Sequence, residues 1–172
     1  AMYQALENAA QGTGKEVVLV ECGWHANDYI EKAFSAGAQM ASPSVRVVTL
    51  DGRVAENRET AWASADLFCS LSDNIQETFG IVPIEAMAAG LPVIAANGGA
   101  VPENIKDGVT GTLIPVHDSN ALAKAIISAL ENPKYIRNLA ETAKKQVREK
   151  FSWDKTADSM IDIYTSVLRD SA

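Results

Sequence analysis

Residues 67–99 read LFCSLSDNIQETFGIVPIEAMAAGLPVIAANGG, and the succession of chemical characters in this stretch decides the fold class. Leu67–Leu71 is a short apolar run of strand character, and Ser72–Gln76 is a polar loop. Glu77, Thr78, Phe79 and Gly80 follow, and a helix is predicted to begin near Pro83 and stop at Gly90. Proline in a first turn gives up no needed hydrogen bond, and glycine followed by Leu91-Pro92 is a strong helix stop. The next apolar run, PVIAA at 92–96, is again a strand.

The same alternation extends outward. Residues 15–22 (KEVVLVEC), 45–50 (VRVVTL) and 112–116 (TLIPV) are apolar runs rich in β-branched residues and read as strands buried on both faces. A first helix is expected over Met2–Ala10. Ile30, Ala33, Phe34, Gly37 and Met40 recur at helical spacing between two of the strands, and Glu56–Ser64 forms another helix-length segment. Strands alternating with helices predict a parallel, doubly wound α/β sheet of Rossmann-like type. The C-terminal third is helical throughout. Asp118 or Ser119 caps a helix carrying Ala121, Leu122, Ala125, Ile126, Ala129 and Leu130 on one stripe. Asn132-Pro133 restarts a second, and Ser152 caps a third whose Ala157, Met160, Ile161, Tyr164, Val167 and Leu168 keep the period to the end.

Composition narrows the function classes. With 172 residues, 47% of them hydrophobic, the chain is long enough to bury the core of one domain, read as 2–172 with Ala1 a remnant of tag cleavage. Apolar runs are far shorter than the roughly 20 residues a spanning helix needs, so a cytoplasmic protein without a transmembrane segment is expected. A net charge of −7 opposes nucleic-acid binding through a general basic surface. The basic residues Lys144, Lys145, Arg148 and Lys150 fall in the last turns of a helix, where cations complement the macrodipole. Cys22 and Cys69 each end an apolar run and read as buried thiols. No G-x-G-x-x-G, no G-x-x-x-x-G-K-[ST] and no Asp-x-Asp occurs, so neither a dinucleotide, a triphosphatase nor a metal-dependent donor site is indicated.

Ligands of doubly wound sheets sit beyond the carboxyl ends of the strands, where helix N-termini favour anions. Gly80 lets backbone approach such a ligand, and Glu77 and Glu85 both reach the crevice, their carboxylates suited to sugar hydroxyls. The residues alone leave two readings open: a ligand bearing hydroxyls and phosphates, or glutamates that merely complement a helix N-terminus. His25, beside Trp24 past the first strand, is weighed as a contact to base or sugar against a loop histidine without a role. His117 reads as part of a turn.

Glu77 and Glu85, separated by seven residues in ETFGIVPIE and followed by AMAAGLPV, resemble the E-x7-E signature of the retaining glycosyltransferases of group 1, or family four. The likeness covers nearly the whole chain through ASADLFCSLSDN, NGG, ENIKDGVTGTLIP, FSW and the last amphipathic helix. It implies the C-terminal, donor-binding half of a GT-B fold that takes a nucleotide diphosphate sugar without a metal or other cofactor. Glu77 and Thr78, with the backbone at Phe79 and Gly80, would hold the donor sugar. The amides of Phe79 and Gly80 would face the diphosphate, Glu85 would hold the ribose, and Gly52, Arg53 and Val54 would lie against the base. The chain departs from the family in Leu71-Ser72 and the longer SDNIQ loop. It also begins after the family's opening strand and basic stretch, so a missing central first strand and an absent acceptor domain are expected.

Such a chain is expected to transfer nothing alone, its acceptor is unknown, and a homodimer through the exposed sheet edge or the C-terminal helix is expected. The rivals are a nucleotide-sugar epimerase of the same two-domain fold and a non-catalytic nucleotide-binding or interaction module.

Overall fold

The computed structural model describes residues 1–72 and 79–170, with side chains described through Arg169. The elements run α1 Met2–Thr13, β1 Val17–Gly23, α2 Asp28–Ala41, β2 Val45–Asp51, α3 Ala55–Ser64, β3 Phe68–Ser70, α4 Ile81–Ala89, β4 Val93–Ala96, α5 Val101–Asn104, β5 Thr112–Ile114, α6 Ser119–Glu131, α7 Pro133–Phe151 and α8 Trp153–Asp170. Every strand pair is parallel, as the alternation of strands with helices requires. Asp118 accepts the Ala121 amide at 2.8 Å and so, rather than Ser119, caps α6. Pro133 opens α7, and the Ser152 hydroxyl accepts from the Lys155 amide at 3.3 Å at the start of α8. His117 occupies the turn before α6 with φ 61°.

The strands form two sheets, ordered β1-β2 and β3-β4-β5. One apolar cluster spans both: Leu6, Ala9 and Ala10 of α1 and Leu122 and Ile126 of α6 pack with Val45, Ile94 and Ile114, flanked by Val17, Leu19, Leu67, Cys69 and Leu71. The second cluster joins Ile84 and Met87 of α4, Val101 of α5, and Ala143 and Val147 of α7 over Val93, Ala95 and Phe68. Successive residues of β4 enter opposite clusters, the period-two pattern of a strand with helices on both faces. The result is three layers, α/β/α.

The two sheets run the same way. Tyr3, at the start of α1, hydrogen-bonds Glu21 near the end of β1, so α1 is antiparallel to β1. Lys15 Nζ, just past α1, donates to Leu130 O near the end of α6 at 2.6 Å, and a Cβ at Gly12 would meet Ile127 Cδ1 at 3.5 Å. Helices α1 and α6 are therefore parallel, and their starts lie beside the carboxyl ends of β1 and β5. All five strands present their carboxyl ends to one edge of the domain.

The structure corrects the sequence reading in several places. Strands buried on both faces are found for β4, whereas no residue of β1 is buried. β1 pairs with β2 alone and the second cluster does not reach it, so Val18 and Cys22 are exposed and Cys22 is no buried thiol. Burial does push the Cys69 thiol up, to about 12. The apolar stripe of α2 is left in the open: Ile30, Phe34 and Met40 are exposed, and Ala38 is the buried residue of that helix. The helix placed at Met2–Ala10 continues to Thr13, and α4 starts two residues ahead of Pro83.

Candidate functional site

Helix α4 meets the carboxyl edge through Gly80, its N-cap, whose φ of 73° lies in the left-handed region. That conformation costs an ordinary L-residue roughly 1–2 kcal/mol and glycine almost nothing. A Cβ built there would touch Val101 Cγ2 at 3.5 Å, an ordinary contact, so backbone conformation rather than space selects glycine. Just upstream, the Phe79 carbonyl accepts the Nδ2 of buried Asn104 at 2.6 Å, and the Phe79 ring meets Phe151 edge-on at 5.8 Å. Asn104 is held in turn, its own carbonyl accepting Gln146 Nε2 at 3.1 Å. These contacts from α5 and α7 fix the backbone entering α4. The first-turn amides of Ile81 and Val82 have no intrahelical acceptor, which makes that end a local centre of positive potential.

Glu85 lies one turn further along α4 on its exposed face, together with Ile81, Val82, Ala88 and Ala89, while Ile84 and Met87 face the core. Helical side chains lean toward the N-terminus, so Glu85 leans toward the Gly80 end. Glu77 and Thr78 lie outside the described residues. The structure thus places Phe79 and Gly80 at the entry to α4 and Glu85 on the exposed face of that helix. Asn104 is the residue that the sequence reading missed as part of this arrangement; its signal was a lone asparagine in ENIKDG, uninformative without knowing that it faces Phe79.

The loop assigned to a base is spent largely on the fold. Gly52 N donates to Gly23 O at 3.0 Å, Gly52 O accepts Arg58 Nη1 at 2.6 Å, and Val54 N donates to Asp51 O at 3.2 Å. Arg53 donates its amide and its guanidinium to Asp51, with Nη2 to Oδ2 at 2.8 Å. Those hydrogen bonds draw the Asp51 carboxyl down to about 2 and raise the guanidinium. A base placed there would find the Arg53 carbonyl and the Val54 side chain rather than free amides. A Cβ at Gly52 would stand 2.9 Å from Gly23 Cα, so this glycine serves the close approach of two backbones. The cavity of about 260 Å³ bounded by Leu67, Pro92, Asp107, Thr112 and Tyr135 opens at the amino ends of β3–β5, the edge opposite α4's N-terminus, and takes no part in the site.

Among the described residues no helix is long and apolar enough to cross a membrane. The chain is 40% identical over 108 residues to N-acetyl-alpha-D-glucosaminyl L-malate synthase of Bacillus anthracis, covering 63% of this chain and 28% of that protein. It is 35% identical over 127 residues to D-inositol 3-phosphate glycosyltransferase of Mycobacterium avium, covering 74% of this chain and 30% of that protein. It thus spans under a third of the length of these relatives.

Among solved structures, HepE of Anabaena in complex with UDP superposes with a TM-score of 0.75 at 21% identity, over 96% of this chain and 46% of that one. The C-terminal domain of a glycosyl transferase group 1 family protein, LpcC, from Francisella tularensis gives 0.67 at 21% identity, over 87% of this chain and 79% of that one. The fold is therefore that of a GT-B glycosyltransferase domain. The family model of the glycosyl transferases group 1 matches residues 2–146, and the chain belongs to that family.

Proposed function

We propose that the carboxyl edge around α4 binds a nucleotide diphosphate sugar, and that the complete protein transfers a hexose from it to an acceptor with retained configuration. The observation that carries this reading is the start of α4: a left-handed glycine, first-turn amides without intrahelical acceptors and an exposed glutamate leaning toward them. Amides complement the diphosphate as negative charge develops on the leaving group, without a metal, and Glu85 accepts hydrogen bonds from the ribose hydroxyls. Glu77 and Thr78 belong to the donor-sugar side of the same proposal, and the backbone of Gly52, Arg53 and Val54 to the base. The bound UDP of the Anabaena structure supports the ligand class.

The chain alone is expected to bind such donors weakly and to transfer nothing. Two exposed features support this: among the described residues β1 and β3 each keep one edge without a strand partner, and α8 is exposed along Trp153–Arg169 with Met160, Ile161, Tyr164, Val167 and Leu168 in the open. In this reading both are surfaces for further polypeptide or a second copy, in a cytoplasmic protein. Titration of UDP, ADP and GDP and their hexose conjugates, followed by saturation-transfer NMR, tests the site. Hydrogen bonds to a charged group contribute about 1.5–3 kcal/mol, so Glu85→Ala is expected to weaken binding by roughly one to two decades. Unchanged binding would remove Glu85 from the site, and sugar transfer by this chain alone would overturn the need for a partner domain.

A further inference from the structure

The carboxyl end of β1 carries a second constellation that the donor site does not use. Tyr3 of α1 donates to the Glu21 carboxylate, and burial first, then this hydrogen bond, raises the phenol above its ordinary value, so it remains a donor. The Tyr3 ring meets Phe34 of α2 edge-on at 5.9 Å, and the His25 ring lies tilted against the same Phe34 at 5.1 Å. Trp24, adjacent to His25 in the chain, is 66% exposed, and Tyr29 at the start of α2 is 82% exposed. Phe34 is the one residue of the exposed α2 stripe that joins this group, and the group lies beside a carboxylate.

We infer that Trp24, His25 and Phe34, with Glu21 beside them, form a shelf that binds a neutral carbohydrate. A pyranose has an apolar face of C–H groups that packs on a flat ring through dispersion, and a rim of hydroxyls that donate to a carboxylate. An ionised carboxylate accepts about four hydrogen bonds, of which Tyr3 supplies one. An apolar protein face laid on the same rings would strip water from Glu21 without supplying donors, at a cost. Phosphorylated or otherwise anionic ligands are disfavoured, because Glu21, Asp28 and Glu31 outnumber Lys32 there in a chain of net charge −7. The shelf opens on the same edge as the start of α4, since all strands point their carboxyl ends that way, but it shares no residue with the donor site.

The test uses nucleotide-free sugars, so its outcome does not depend on the donor reading. Maltose, cellobiose and chitobiose are titrated at millimolar concentrations while the indole N–H resonances of Trp24, Trp62 and Trp153 are followed by NMR. At least one sugar is expected to shift the Trp24 resonance and leave Trp62 in place. Trp24→Ala is expected to lower that affinity about tenfold, the loss of one stacked ring, with Trp24→Phe recovering most of it. Glu21→Gln, which keeps the shape but halves the acceptors, is expected to weaken it as well, with an unchanged circular dichroism spectrum verifying the fold. Silence from all three sugars overturns the proposal, as do shifts that survive in Trp24→Ala. A Trp24 shift caused by UDP and by none of the sugars would overturn it too, assigning the rings to a base.

Discussion

β1 and β4 each contain a four-residue apolar run, VVLV at 17–20 and VIAA at 93–96, and the more hydrophobic of the two is the one left half in the open. β4 has a strand on either side and a helical layer on each face, so all four of its residues are buried. β1 has β2 on one side and the α1–α6 cluster beneath it; Val18 and Cys22, on the other face, join no buried cluster and stay exposed. A strand's burial is thus decided by how many neighbours the topology gives it, not by its own hydrophobicity. The α4 site belongs to the densely packed half and the aromatic shelf to the open half.

The sharpest way to break this contrast is truncation on both strands. Ile94→Ala, in a residue 2% exposed, is expected to cost about 2–5 kcal/mol, whereas Val18→Ala should stay within about 0.5 kcal/mol. Urea unfolding followed by circular dichroism measures both. Comparable losses at the two positions would mean that something covers β1 in solution.

A smaller effect sharpens the assignment of α4's start to the rigid half. Gly80→Ala forces a Cβ into φ 73° and is expected to cost roughly 1–2 kcal/mol, with Gly80→Asn milder because asparagine tolerates the left-handed region. A neutral Gly80→Ala would show that this turn relaxes freely, and the fixed amides would lose their basis.

The smallest effect lies at the end of β2, in the open half. Asp51 ordinarily titrates near 3.9, and the hydrogen bonds from Arg53 lower it to about 2 in the folded chain. A carboxyl depressed by folding stabilises the fold above its unfolded value and loses that contribution as pH falls from about 4 toward about 2. The Asp51 side-chain carbon resonance should therefore titrate near 2 and move toward 4 in Arg53→Ala. A midpoint already at 4 in the parent chain would show the pair to be open in water.

Periodicity and punctuation were enough to give the parallel α/β class, the helical C-terminal third and the stop at Gly90, because spacing and backbone chemistry are local properties. The Phe79-Gly80 turn was likewise legible, from a glycine at a helix start. What α2 buries was not. Ile30, Phe34 and Met40 have a core helix's spacing, and only the packing of α1 and β2 turned Ala38 inward instead. The bond from the Gly52 amide to Gly23 and the grip of Asn104 on Phe79 join residues that no local pattern relates. The sequence by itself determined which segments are strands, which are helices and that a helix starts between Gly80 and Pro83. The tertiary structure decided which apolar surfaces are covered and which polar groups remain available, because burial and hydrogen-bond pairing depend on neighbours distant in the chain.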